Sequence, residues 1–249
     1  MVQAIILCGG RSLRLKPDIW IPKPLVTIKN EYTLVDYQID WLQKYPYRHS
    51  KTFSYLFDKI VLATSREVSD LYKPKQSDVV LSVENEKLGT AGAIKKAIDH
   101  IDTNKVYIFN VDDIVMYDPM VLMHNSYTYG GAILVTKARS PYGKVVLSES
   151  NGVLRFEEKP ILDYWTNVGH YVLTVDFIKK WFPDKGSMED IVLGKLANEG
   201  LLYGNKFTGT WLTLNTYKDL MRIRDYFRDA NCVHLSNWRN TGKGKQGST

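Results

Sequence analysis

Apolar residues in the first half of the chain cluster into short runs rich in β-branched side chains, separated by stretches of helical periodicity. The runs at 3–8, 59–64, 78–83 and 105–110 have the length and composition of buried strands. Between them, 33–44 carries Leu34, Tyr37, Ile39 and Trp41 as a helix, and 66–72 and 89–101 read as two more. Strand and helix in alternation predict a mostly parallel sheet with helices on its faces. Ligands on such sheets bind beyond the carboxyl ends of the strands, so chemistry is expected in the loops that follow them.

The second half changes rhythm. Runs 131–137, 143–148, 152–156 and 168–173 read as strands, with Ser150-Asn151-Gly152 as a hairpin turn between two of them. Helices return at 175–181, 188–199 and 216–230. The expected fold class is α/β: a Rossmann-like, mostly parallel mixed sheet flanked by helices, with a small antiparallel insertion. No linker or internal repeat interrupts the pattern. Residues 1–238 therefore read as a single domain, and 239–249 as a flexible basic tail.

Composition narrows the function. Of 249 residues, 44% are hydrophobic and 24% charged, ordinary values for a globular chain with a sizeable core. No apolar run is long enough to span a membrane. The first residues lack the basic flank and cleavage site of a secretion signal. Cys8 and Cys232 form neither a disulfide framework nor a metal-ligand spacing, which suits a reducing cytoplasm. The formal charge is +6, and Arg239, Lys243 and Lys245 of the tail supply three of those charges. The remainder has no basic run interleaved with aromatics, which argues against nucleic acid as a partner; mild positive bias suits small anionic substrates. A homo-oligomer is left open.

Two loops carry candidate chemistry. Leu7-Cys8-Gly9-Gly10-Arg11-Ser12-Leu13-Arg14 follows the first strand. Paired glycines let backbone N–H groups turn inward to hold phosphate oxygens, and arginine adds charge. The spacing is neither that of a dinucleotide fingerprint nor that of a P-loop, and a plain strand-ending turn would look the same. In Ile21-Pro22-Lys23-Pro24-Leu25, two prolines restrict the backbone around one lysine. A rigid surface loop is the bland alternative.

Together these segments resemble the signature Gly-Gly-x-Gly-x-Arg-Leu…Pro-Lys-Pro-Leu of the sugar-1-phosphate nucleotidyltransferases, also called nucleotide-sugar pyrophosphorylases. The resemblance continues in order through Glu84-Asn85-Glu86-Lys87-Leu88-Gly89-Thr90-Ala91-Gly92-Ala93 and Asn110-Val111-Asp112. It extends to Tyr142-Gly143-Lys144-Val145, Glu157-Glu158-Lys159-Pro160, Asn167-Val168-Gly169 and Ser187-Met188-Glu189. It implies the nucleotide-diphospho-sugar transferase fold and attack of a sugar phosphate oxygen on the α-phosphorus of a nucleoside triphosphate. The implied substrates are small molecules, and the implied cofactor is Mg²⁺.

The resemblance also implies roles. Leu7, Gly9, Gly10, Arg11 and Ser12 would line the triphosphate, with Arg14 and Lys23 supplying charge at the reacting phosphates. Glu84, Gly89 and Thr90 would face the nucleotide. Gly92, Gly143, Glu158, Lys159, Asn167, Gly169 and Glu189 would face the sugar phosphate, together with Asp112. Asp112 would hold the metal through a hard carboxylate oxygen. Asp113 reads as a helix cap or turn residue.

Glu84 bears on the base. A carboxylate only accepts hydrogen bonds, and guanine presents two adjacent donors, N1–H and its amino group. This resembles the guanylyltransferase branch and implies GTP with a mannose or heptose 1-phosphate. Four positions depart from the family pattern: Ser12 replaces a glycine, Val111 replaces the glycine before Asp112, Thr213 replaces a second metal-binding aspartate, and Asn215 replaces the glycine two residues after it. They keep open a catalytically impaired nucleotide-sugar-binding regulatory subunit, and a metal-dependent glycosyltransferase of related fold ranks below it.

Overall fold

Seven strands build the central sheet of the computed structural model, which describes residues 2–10, 12–44, 57–126 and 129–229. The candidate Arg11, Cys232 and the basic tail 239–249 lie outside the described residues. The N-terminal strands are β1 (Val2–Leu7), β2 (Thr27–Lys29), β3 (Tyr32–Thr33), β4 (Phe57–Ser65), β5 (Val79–Glu84), β6 (Lys105–Asn110) and β7 (Asp113–Val115). Then come β8 (Gly131–Thr136), β9 (Lys144–Leu147), β10 (Val153–Glu157), β11 (Thr166–Thr174), β12 (Leu202–Lys206) and β13 (Trp211–Thr213). The helices are α1 (Leu34–Lys44), α2 (Arg66–Leu71), α3 (Gly89–Ala97), α4 (Pro119–Asn125), α5 (Val175–Trp181), α6 (Gly194–Asn198) and α7 (Tyr217–Asp229).

The sheet order is β12-β8-β11-β6-β1-β4-β5. Six strands run in one direction, and β11 alone opposes its neighbours β6 and β8. Alternate β1 residues explain the helices on both faces. Ala4 and Ile6 belong to the core that holds α1 residues Leu34, Ile39 and Leu42 and α7 residues Ile223 and Phe227. Ile5 and Leu7 face the other core, with Ala91 and Ile94 of α3 and Phe177 and Ile178 of α5. At about 0.8 kcal/mol per buried methylene, these apolar faces drive the layering. Ser65 caps α2 and Thr174 caps α5 through their hydroxyls, fixing where strand becomes helix.

The antiparallel insertion is the β9–β10 hairpin, turned at Asn151 with φ 64° and closed by Ser148 N donating to Gly152 O at 2.8 Å. Some sequence readings shift. The helix expected at 89–101 ends at Ala97, and Ile98–His100 forms a 3₁₀ turn. The helix expected at 188–199 divides into a π-helical turn, Glu189–Leu193, and α6. Asp113 is neither cap nor turn: it opens β7, which pairs with β13 in the register Asp113 opposite Thr213. Short β2, β3, β7 and β13, together with α4 and β12, went unread in the sequence. Among the described residues, no helix is long and apolar enough to cross a membrane.

Candidate active site

The carboxyl ends of β1, β5, β6 and β8 and the amino end of the opposed β11 lie along one sheet edge. The first loop leaves β1 there. Leu7 O accepts from Val111 N at 3.1 Å, and Cys8 N donates to Ala63 O at 2.8 Å, so the turn is anchored to both neighbouring strands. Gly9 and Gly10 are exposed, and Gly10 has φ +113°, a conformation that favours glycine. Ser12 stands in the left-handed region at φ 52°. That geometry is what a glycine would serve at this position, and Ser12 uses its side chain otherwise: Oγ accepts from Lys23 N at 2.9 Å. Its hydroxyl thereby ties the glycine loop to the proline-lysine loop. Arg14 lies exposed in the 3₁₀ turn Leu13–Leu15.

Lys23 begins the 3₁₀ turn Lys23–Leu25, with Pro24 buried behind it. Its ammonium meets Asp112 Oδ2 at 2.5 Å, with side chains 16% and 21% exposed. Partial burial strengthens this pair relative to a surface ion pair while leaving both groups reachable from solvent.

Behind Asp112 is a buried polar knot. Asp113 is 7% exposed, and its Oδ1 accepts from Trp211 Nε1 at 2.9 Å and its Oδ2 from Asn110 Nδ2 at 3.1 Å. Burial, and secondarily the Asp112 charge, push its pKa up to about 7. Gln38 Nε2 donates to both Val111 O and Asp113 O at 3.0 Å. His170 lies between Tyr107 Oη and Asp113 O and stacks on Phe109, and burial lowers its pKa to about 3. Thr213, expected in place of a metal ligand, faces Asp113 across the β7–β13 pair, and its hydroxyl accepts from Asn215 Nδ2 at 3.1 Å.

Glu84 ends β5. Its Oε2 accepts from Leu88 N at 3.0 Å, and its Oε1 lies 3.5 Å from where a Cβ on Gly9 would stand. The carboxylate is therefore beside the glycine turn. The glycines of α3 answer to a different neighbour: a side chain on Gly89 would strike Gly186 O, and one on Gly92 would strike Asp184 O. Segment 184–186 lies directly on this helix, with Ala91 N donating to Gly186 O at 2.9 Å. Thr90 Oγ1 donates to Glu189 Oε2 at 2.7 Å and accepts from Met188 N, joining α3 to the Ser187-Met188-Glu189 segment.

In β11, Asn167 Oδ1 accepts from Gly169 N at 3.0 Å, and its Nδ2 donates to Tyr171 Oη at 2.7 Å. Gly169 has φ +76° at a register irregularity in β11, and a Cβ there would collide with Asp113 Oδ2. Gly143 has the ring of Phe156 where a Cβ would go. Lys159 has φ 48°, and its ammonium is 3.6 Å from Glu158 Oε1 with both side chains exposed. The root of their hairpin is tied by Ser140 N to Pro160 O and Leu162 N to Ala138 O, both 2.8 Å.

Hydrogen bonds and an ion pair unite Ser12 with Lys23 and Lys23 with Asp112, while Glu84 borders the space beside Gly9, and Asp113 that beside Gly169. Glu158 and Lys159 lie on the hairpin, where they pair with each other. Gln38 and His170 support the site without a signal in the sequence, since a lone glutamine in a helix and a histidine in an apolar strand carry no spacing; Asn110 and Trp211 stand in matched segments, and the structure adds their bonds to Asp113.

The donor set suits magnesium in one way. Among the described residues no cluster of three potential ligands exists. Asp112 offers one hard carboxylate oxygen, and Mg²⁺ is commonly held by one or two carboxylates, substrate phosphates and water. Asp113 has both oxygens occupied by internal donors. Asp112 is the residue that would hold the ion.

A model of the family described as "Nucleotidyl transferase" matches residues 3–230. A "Mannose-1-phosphate guanylyltransferase catalytic subunit beta" of Danio rerio is 30% identical over 96% of this chain and 66% of its own length. A "Mannose-1-phosphate guanyltransferase" of Schizosaccharomyces pombe is 28% identical with the same coverage. The chain thus spans 66% of the length of these curated relatives. Among solved structures, HddC from Yersinia pseudotuberculosis, complexed with GMP-PN, superposes with a TM-score of 0.66 at 25% identity, covering 91% of this chain and 100% of that one.

Proposed function

The chain belongs to the nucleotidyl transferase family, and from that membership we propose that it condenses GTP with a mannose- or heptose-type sugar 1-phosphate and releases pyrophosphate. We read residues 1–238 as one catalytic domain acting in the cytoplasm. The observation that carries the reading is the Lys23–Asp112 pair beside an anchored Gly9–Gly10 turn on which the Glu84 carboxylate bears. Names of relatives and a neighbour holding a guanine nucleotide analogue support the choice of base.

In the reaction, a phosphate oxygen of the sugar bonds to the α-phosphorus, and the bond from that phosphorus to the bridging oxygen of pyrophosphate breaks. No covalent enzyme intermediate is needed; two anions must be aligned and their charge offset. Backbone N–H groups of Gly9 and Gly10, with Arg14, hold the β- and γ-phosphates. Lys23 offsets charge at the α-phosphate. Lys159 holds the sugar phosphate, and Asn167 and Glu189 bond sugar hydroxyls. Glu84 accepts from N1–H and the amino group of guanine, since each carboxylate oxygen retains a lone pair beyond the Leu88 bond. Asp112 would hold Mg²⁺, which when bound would neutralise phosphate charge.

The reverse direction tests this. Incubated with GDP-mannose, pyrophosphate and Mg²⁺, the protein should yield GTP and mannose 1-phosphate. Tight binding of GDP-mannose without any GTP formed would instead support a regulatory subunit.

A further inference from the structure

We propose that Asp113 is a positioning residue of the transfer reaction: its buried carboxylate sets the separation between Asp112 and the sugar-side backbone at Gly169. This rests on the nucleotidyltransferase reading above and goes beyond it, since Asp113 itself touches neither substrate.

Four structural elements meet at this single side chain and its own carbonyl. Asn110 closes β6 and Trp211 opens β13, and their side-chain N–H groups occupy opposite oxygens of the carboxylate at 3.1 and 2.9 Å. From α1, Gln38 Nε2 holds the carbonyl at 3.0 Å, and from β11, His170 Nε2 lies 3.2 Å from the same atom. Gly169 presses its Cα onto Oδ2 so closely that any side chain there would collide with it, and with Asn110 Nδ2 at 2.5 Å.

Consider what this fixes. The carbonyl before Asp112 is held by Gln38, and that of Asp112 by Leu214 N at 3.0 Å. The backbone carrying the metal-holding carboxylate is therefore pinned on both sides, with Asp113 as the downstream pin. The sugar-side strand rests on that same pin through Gly169. A fully hydrogen-bonded buried carboxyl group is a rigid spacer, because any displacement strips partners from buried polar atoms that water cannot reach. An apolar residue would fill the volume but leave the Trp211 and Asn110 donors unpaired. A misplacement of about 1 Å between reacting groups can cost about a hundredfold in rate.

Thr213 fits the same account. Its hydroxyl is turned to the Asp113 carboxylate across the strand pair. An aspartate there would oppose one carboxylate with another. The departure from the family pattern at 213 and the carboxylate at 113 are, on this view, one linked choice.

The test compares Asp113→Ala and Asp113→Asn with the parent in steady-state transfer from GTP, with calorimetry for GTP and thermal melts for folding. Alanine removes the acceptor, whereas asparagine keeps the shape and one acceptor oxygen. We expect Asp113→Ala to lower kcat by about 10- to 100-fold and raise KM for mannose 1-phosphate, with GTP affinity within about threefold. Asp113→Asn should recover most of the loss. If Asp113→Ala merely melts lower while its folded fraction keeps the parent kcat and KM, the role is structural and the proposal falls. Should Asp113→Ala not fold, Trp211→Phe deletes a single donor and should show the same split on a smaller scale; unchanged kinetics in that variant would overturn the proposal. A parent that transfers nothing would defeat the functional reading instead. Asp113 would then be judged by GDP-mannose affinity, expected about tenfold weaker in Asp113→Ala, with equal affinity counting against it.

Discussion

Lys23 Nζ and Asp112 Oδ2 meet at 2.5 Å across 89 positions of sequence, at the mouth of the glycine loop. Each is the other's counterion in this structure. Under the proposed reaction a triphosphate would compete with Asp112 for the lysine, and Asp112 would then be free to hold Mg²⁺.

Replacing Lys23 with methionine keeps the stem and removes the charge. Turnover should fall by about 10²- to 10³-fold, the usual cost of one aimed donor at a developing charge. Thermal stability should fall little, since the pair is partly solvated. Single-turnover rates with GTP and mannose 1-phosphate measure this. A rate within threefold of the parent would remove Lys23 from the reacting centre.

Lys159 is the cation assigned to the sugar phosphate, and its exposure makes alanine there structurally mild. A charge-assisted hydrogen bond is worth about 1.5–3 kcal/mol, so Lys159→Ala should weaken sugar phosphate binding about 10- to 100-fold. Calorimetry should find GTP affinity unchanged. Equal weakening of both ligands would show that the lysine supports the nucleotide side or the fold.

Thr213→Asp tests whether 213 is an empty ligand position or part of the buried knot. If it were merely an empty position, a new carboxylate would lower the Mg²⁺ requirement. Because Asp113 faces it directly, we expect a loss of about 1–3 kcal/mol in stability and no gain in turnover. Melts with and without Mg²⁺-GTP read both quantities. A variant that is stable and needs less Mg²⁺ would contradict the packing described.

His170 makes stability depend on pH. Its folded pKa of about 3 lies below the ordinary 6.5, so the unfolded chain takes up a proton that the native one refuses. Its contribution to stability is full above pH 6.5 and is lost as pH falls toward 3. Asp113 has the opposite sign, its carboxyl being raised, so the parent's overall curve partly cancels. Comparison with His170→Asn isolates the histidine. The stability gap between the two should narrow by about 1.4 kcal/mol per pH unit below 6.5. Urea titrations at pH 7, 6 and 5 provide the measurement, and a constant gap would contradict a buried neutral imidazole.

Six of the seven strands of the central sheet were legible because each is an apolar run long enough to show its period; β12, Leu202–Lys206, has no β-branched residue and carries no such run. β7 and β13 were not legible either, because three residues each carry no period, and so Asp113 was misread as a cap or turn. The glycine loop and Pro22-Lys23-Pro24 were legible as chemistry. Sequence could not reveal that Ser12 would lock these loops together, since its partner is a backbone N–H eleven positions away. Nor could Gly89 and Gly92 disclose that their space is taken by Gly186 and Asp184, because that packing is set by the chain's return from β11.

Pyrophosphate release measures the central claim most directly. With Mg²⁺ and a panel of sugar 1-phosphates, the protein should release pyrophosphate with GTP in preference to UTP, dTTP, CTP and ATP, and Glu84→Gln should erode that preference. Release only with UTP or dTTP would contradict the assignment of Glu84 to guanine. No release with any pair would contradict the reading of this chain as a nucleotidyltransferase at work.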